Sequence, residues 1–171
     1  MKAQKLQKFA ILGLLLCLLS LGTAHLPAQA LKGTVIMDYT LGMHHDSIPK
    51  LNLLKMGKFQ KLLRYDRQDE PLKMGDIDLF FVRLFIWDNQ LHSIEIKCAE
   101  GQGDKMYAWL KSIYGEGKKL DAMGYRYQWF EPTMRVIWDQ NMATKQGVAQ
   151  FVDEVTNDKY YKFMYQRQNN E

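Results

Sequence analysis

Cysteine is nearly missing from this chain, and the two it has are not equivalent, since Cys17 sits in the leading apolar run and Cys98 in the body. Once the leader is cut away a single thiol remains, so no internal disulfide can form and the fold must rest on its core. Neither structural zinc nor CxxC redox chemistry has a cysteine pattern to support it. Proline is scarce, four in all, and no stretch of biased composition marks a linker between domains. Excess positive charge is missing too, despite a formal net charge of +4. Lys2, Lys5 and Lys8 belong to the leader, and without them Lys+Arg falls from 23 to 20 against 19 acids, a balance of +1. That excludes the basic footprint of a nucleic-acid or anionic-membrane partner. Catalytic fingerprints are absent as well: there is no GxSxG, HExxH, P-loop or Rossmann motif, no cofactor signature, and no nucleophile placed beside a base.

What is present begins with a targeting pattern over residues 1–30. Three lysines precede an apolar run from Phe9 to Gly22, Pro27 breaks it, and Ala28-Gln29-Ala30 offers small residues for cleavage. A run of about fourteen apolar residues is short against the roughly 20 that span a bilayer, so the segment reads as a secretory signal peptide and no stable membrane span is expected after it is cut. Residues 31–171 are then a single domain in a periplasmic or secreted protein, a length that suits one core.

The strongest pattern in that domain is IDLFFVRLFIWDNQLHSIEIKC, Ile77 to Cys98, two apolar runs rich in β-branched and aromatic residues around Asp88-Asn89-Gln90. This is a hairpin signal. A two-residue loop at Asp88-Asn89 sets Arg83 opposite Ile94, a charge on the most apolar face. A three-residue loop sets Arg83 opposite Glu95 and gathers Phe80, Val82, Leu84 and Ile86 with His92, Ile94, Ile96 and Cys98, so we expect the second register. Its other face carries Leu79, Phe81, Phe85 and Trp87. One strand is therefore apolar on both sides.

The remaining elements follow from spacing and caps. Gly33 to Thr40 reads as a first strand with Val35, Met37 and Tyr39 on one face. Asp46 is a candidate N-cap for a short helix with Ile48, Leu51 and Leu54 on one side and Gly57 at its end. A strand follows from Phe59 to Asp66, then a loop from Arg67 to Met74. Met106, Leu110 and Ile113 predict a helix that Gly115 closes, with Asp104 as its cap. YRYQWFEPTMRVIWD predicts a second hairpin turning at Glu131-Pro132. Val148, Phe151, Val152 and Val155 have helical spacing and predict a third helix from Lys145 to Thr156, with KYYKFMYQ, Lys159 to Gln166, as a last strand. The fold class is α+β: an antiparallel sheet of about six or seven strands with two or three helices packed mainly on one face.

Gly42-Met43 before a capped helix, and a strand pair ending in IWDNQLHSIEI, resemble outer-membrane lipoproteins of the SmpA/OmlA type and the wider group of folds like the β-lactamase inhibitor protein. The resemblance spans Leu41 to Ile96. It implies a Gly-Met turn that opens a helix pair, an envelope location, and binding to other proteins.

Candidate sites are few. His44-His45-Asp46 has metal-ligand residue types, but adjacent histidines on a turn point apart and Asp46 is needed as a cap, so no metal site is expected. Cys98 reads as a small buried hydrophobe, and His92 as a buried histidine on the core face. The second face of the main hairpin, with Leu79, Phe81, Phe85 and Trp87, is the candidate binding surface, because an exposed patch of that kind marks a partner. The function these features favour is an exported non-enzymatic binding protein of the bacterial envelope, with a protein partner in the envelope or secreted. A carrier of a small apolar ligand is the alternative, and a hydrolase without a recognisable motif comes third.

Overall fold

The computed structural model describes residues 35–56, 62–123 and 125–169. The signal segment, Gly33, Gly57 and the start of the strand expected at Phe59 lie outside these residues. The first chain reversal comes earlier than the sequence suggests. Met37 takes φ 57°, so the described part of the expected strand, residues 35–40, is a tight hairpin of β1 (Val35–Ile36) and β2 (Tyr39–Thr40). Ile36 and Tyr39, paired across it, both enter the core.

The helix expected from Asp46 does not form. A single 3-10 turn, His45–Ser47, ends at Ile48, which is extended at φ −103°, ψ 107°. Proline disfavours helical backbone in the residue before it, and Ile48 precedes Pro49. Lys50 then adopts φ 57°, and the chain leaves as β3 (Leu51–Met56), antiparallel to β4 (Leu62–Arg67). Inside the expected loop, β5 (Lys73–Met74) pairs with the start of β6 (Ile77–Trp87).

β6 and β7 (Gln90–Cys98) form the predicted hairpin, with a correction to its turn. Asp88 and Asn89 both have positive φ, 48° and 63°, and Trp87 pairs with Gln90. The loop is thus the two-residue type that Asp and Asn favour. Arg83 nonetheless faces Glu95, because pairing jumps from Ile86 opposite Leu91 to Phe85 opposite Ser93. His92 is the extra residue of a β-bulge. A second bulge at Phe80 puts Leu79 opposite Cys98, and so on the core face.

After β7 the helix α1 (Gly103–Tyr114) forms as expected, although its N-cap is Gln102 and Asp104 lies in its first turn. Then come β8 (Lys118–Lys119), β9 (Arg126–Glu131), β10 (Met134–Asn141) and β11 (Gln146–Asp153). The final element is α2 (Glu154–Gln168). The expected third helix is therefore strand β11, and the expected last strand is helix α2. β11 is held by eight successive pairs with β10, Met134 opposite Asp153 through Asn141 opposite Gln146. The cap of α2 is Asp153, whose carboxylate accepts from the Thr156 N–H at 2.8 Å.

Among the described residues all pairings are antiparallel: β1 and β2 stand as a separate two-stranded sheet, and the others form a nine-stranded sheet ordered β3-β4-β6-β7-β11-β10-β9-β8 with β5 beside β6. The sheet is larger than the six or seven strands expected, and two α-helices accompany it among the described residues. One face carries the core: Leu84, Ile94, Ile96, Phe151, Val136 and Trp138 are all fully buried. Each such side chain contributes about 1.5–3 kcal/mol by leaving water. α1 closes half of this face with Met106, Leu110 and Tyr114, and Ile36, Tyr39 and Leu41 close the other half. α2 lies on the opposite face, which corrects the expectation that the helices pack mainly on one side. Trp87, next to core-facing Ile86, meets Tyr160 and Phe163 there, and Arg135, between buried Met134 and Val136, pairs with Glu154 at 3.1 Å. Among the described residues no helix is long and apolar enough to cross a membrane.

Candidate functional site

Strand alternation turns Phe81, Arg83 and Phe85 of β6, Ser93, Glu95 and Lys97 of β7, and Val148, Gln150 and Val152 of β11 toward the face opposite the core. β10 and β9 add Arg135, Ile137, Asp139, Arg126 and Gln128. α2 covers one end of this surface, where Ser93 and Val152 are buried although they face away from the core. Beyond α2 the face is open and forms a groove of about 470 Å³ lined by Glu95, Lys97, Arg126, Ile137, Asp139 and Gln150, with Asn141, Gln146, Gly147 and Val148 at one end.

Charges of both signs stand on this face in cross-strand pairs, with Glu95, Lys97, Arg126 and Asp139 lining the groove itself. Arg83 meets Glu95 at 3.6 Å and Arg126 meets Asp139 at 3.8 Å. Both pairs are partly exposed, so each adds about 0–1 kcal/mol to stability and stays available to a partner. Arg83 also lies over the Phe81 ring at 3.7 Å from its centre, which fixes the guanidinium plane. Between the charged rows, Gln150, Gln146 and Asn141 offer amides that donate and accept. Such a surface can hold polypeptide backbone and charged side chains together.

The four residues singled out in the sequence do not form one exposed patch. Leu79 is 5 % exposed and turned into the core by the Phe80 bulge, and Trp87 is 6 % exposed beneath α2. Phe81 and Phe85 remain on the open face, half-buried. The polar groove beside them was missed because residues 145–156 read as a helix. With β11 out of the sheet, Gln150 could not be set opposite Glu95, nor Val148 opposite Lys97. The usable signal was the charge of Arg126 and Asp139, which the second hairpin brings directly opposite each other.

The other candidates are placed as follows. His92 is buried in the bulge against Tyr160, 5.5 Å between ring centres, instead of on the core face. Burial depresses its pKa, and a hydrogen bond to Asn157 and the charge of Asp153 partly oppose this. Cys98 faces the core and exchanges hydrogen bonds with Gly147, whose N–H reaches Sγ at 3.1 Å. Burial pushes this thiol up, away from the reactive thiolate. Asp46 is not a helix cap: the cap of the 3-10 turn is His44, whose Nδ1 accepts from the Asp46 N–H at 3.4 Å. The Asp46 carboxylate faces both imidazoles, at 3.4 Å from His44 and 3.0 Å from His45.

A further cluster was not foreseen. Tyr39, 1 % exposed, donates its hydroxyl to the Glu70 carboxylate. Arg67 binds Asp38 at 2.5 Å and Asp69 at 3.2 Å, and Lys50 binds Asp69 at 2.6 Å. Desolvation raises the pKa of Tyr39 strongly, and that of Glu70 too. The cluster joins the β1–β2 hairpin to the end of β4 and is structural in geometry: its charges are paired with each other instead of facing a cavity.

Compared with known proteins, the chain matches no protein-family model, no curated protein and no solved structure.

Proposed function

We propose that this chain is an exported, non-enzymatic binding protein of the bacterial envelope, periplasmic or secreted, that engages a protein partner through the open groove of its sheet. The groove carries the reading. Its lining of paired charges and amides suits a polar polypeptide segment bearing both charge signs, with Glu95 and Asp139 receiving cations and Lys97 and Arg126 receiving carboxylates. The leading signal pattern supports export, and of the SmpA/OmlA-type resemblance only the strand pair ending in IWDNQLHSIEI supports a protein as partner, since the helix implied after Gly42-Met43 does not form. A small apolar ligand, the alternative from sequence, suits this polar lining less well.

The test is a photo-crosslinking amino acid introduced at Gln150, on the groove floor, or at Tyr165, 68 % exposed on α2, in cells of the natural host. An adduct with one envelope or secreted protein is expected from position 150 and not from 165, and the Lys97→Glu, Arg126→Glu double variant should abolish it. Adducts from position 165 alone, or adducts that survive charge reversal, would reject the groove as the site.

A further inference from the structure

The loop from Gly42 to Ser47 lies apart from the groove lining, yet it assembles donors that a helix cap would have dispersed. One ligand atom from each of His44, His45 and Asp46 falls within 4.8 Å of the others. We propose that these three residues bind a borderline divalent transition-metal ion, of the class of Zn²⁺ or Cu²⁺, through one nitrogen from each imidazole and the Asp46 carboxylate, with a further position open to water or a partner's side chain.

Three observations support the site. The first is spacing: metal–donor distances of roughly 2.0–2.2 Å in a tetrahedron put neighbouring donors about 3.3–3.6 Å apart. The contacts here are 3.0 Å for His45 Nε2 to Asp46 Oδ1 and 3.4 Å for His44 Nδ1 to Asp46 Oδ2, and one donor atom from each of the three residues lies within 4.8 Å of the others. Small rotations of exposed side chains would seat an ion.

The second is the state of His44 Nδ1. It lies 3.4 Å from the Asp46 amide nitrogen, and accepts that N–H in the tautomer protonated at Nε2, the one that leaves Nδ1 its lone pair. The same nitrogen lies 3.4 Å from Asp46 Oδ2. In the tautomer protonated at Nε2, both atoms offer lone pairs, and a cation between them would be held by both. The backbone contact that an ion would compete with is already long and weak.

The third is a braced scaffold. Gly42 N–H donates to Leu91 O, Leu91 N–H to Met43 O and His45 N–H to Asn89 O, each at 2.8 Å, and His44 bridges to Gln90. The loop is stitched to the rigid β6–β7 turn, so little ordering entropy is lost on binding. The side chains of His44, His45 and Asp46 are 52 %, 32 % and 75 % exposed, which lets an ion enter without unfolding. Two imidazoles and one carboxylate select against Mg²⁺ and Ca²⁺, which prefer oxygen donors.

The experiment is isothermal titration of the full chain, stripped with chelator, against Zn²⁺, Cu²⁺ and Mg²⁺ separately, with electron paramagnetic resonance of the Cu²⁺ form. One ion per chain is expected, at a roughly micromolar dissociation constant or tighter, with Cu²⁺ held more tightly than Zn²⁺ and nitrogen hyperfine structure from the imidazoles. His44→Ala, His45→Ala and Asp46→Asn should each weaken binding by about tenfold or more, while His92→Gln, which removes the buried histidine, leaves it intact. Circular dichroism confirms that each variant is folded. No heat with Zn²⁺ or Cu²⁺, binding indifferent to the three substitutions, or equal affinity for Mg²⁺ would overturn the site.

Discussion

Replacing Trp87 with alanine should undock α2 while leaving the body of the sheet folded. Trp87 is 6 % exposed, stands edge-on to Tyr160 at 5.9 Å between ring centres, and meets Phe163 at 6.3 Å. Truncating a buried tryptophan costs about 3–5 kcal/mol in all. Of that, each aromatic pair accounts for about 0.5–1.5 kcal/mol, so α2 loses roughly 1–3 kcal/mol of docking. A free helix of its fifteen residues is marginal in water and would not survive that loss intact. The N-terminal turn should hold best, because the Asp153 cap and the Arg135–Glu154 pair are untouched. Native-state amide exchange of residues 160–168 reads the effect directly, with exchange about 5- to 150-fold faster for a loss of 1–3 kcal/mol. Urea unfolding supplies the global change. Trp87→Phe keeps a ring in place and should recover most of the protection. If amides in 160–168 keep their protection in Trp87→Ala while global stability falls, α2 is held by something other than this aromatic contact and the reasoning fails.

Three further outcomes follow from single side chains. His92 is buried beside Tyr160 and Asn157 with Asp153 and Arg135 nearby, and desolvation lowers its folded pKa below the ordinary 6.5; the unfolded chain then binds the proton better, so stability measured by urea titration should fall as pH drops below about 6.5, and His92→Gln should flatten that slope. Gly147→Ala places a Cβ 2.0 Å from the Trp138 ring, itself fully buried, so it should cost about 1–3 kcal/mol or more of unfolding free energy, with Trp138→Phe partly restoring stability in the double variant. Tyr39→Phe keeps the buried ring but removes the hydroxyl that serves the Glu70 carboxylate, and a loss of about 1.5–3 kcal/mol is expected in thermal or denaturant melts.

Local signals carried much of the fold and failed where volume was supplied from elsewhere. α1 was legible because Met106 and Leu110, one turn apart, both reach the core. The two hairpins were legible because apolar runs flank strong turn residues. β11 was not, since its inward positions are Gly147, Ala149, Phe151 and Asp153. Two of these four have almost no side chain, so the alternation of a strand was hidden and the helical spacing of Val148, Phe151, Val152 and Val155 won by default. Trp138 explains the small residues: it pairs with Ala149 and its ring lies over Gly147, filling from β10 the space β11 leaves. Such compensation between strands has no signature in either strand alone. α2 was obscured for the complementary reason. Its buried positions include the polar Thr156 and Asn157, so it lacks the apolar stripe that marks a surface helix. The cap at Asp153, with Glu154 in the first turn, was the readable sign.

The main hairpin shows how a sound chemical argument can select the right pairing through the wrong geometry. Arg83 does lie opposite Glu95, as the cost of facing a charge to Ile94 demands. Yet Asp88 and Asn89 favour the left-handed conformations of a two-residue turn, and they take them. The two requirements differ by one residue, and the bulge at His92 absorbs it. That extra residue is also what meets Tyr160 of α2, so the irregularity that reconciles turn and register supplies part of the docking surface for the last helix. The second bulge, at Phe80, has the opposite effect on the candidate site. By rotating Leu79 into the core it removes one end of the expected apolar face, and α2 buries Trp87 at the other. What stays open is the stretch between, where β7 meets β11 and the side chains are Glu95, Lys97 and Gln150. The position of the groove thus follows from two single-residue insertions that strict alternation could not reveal.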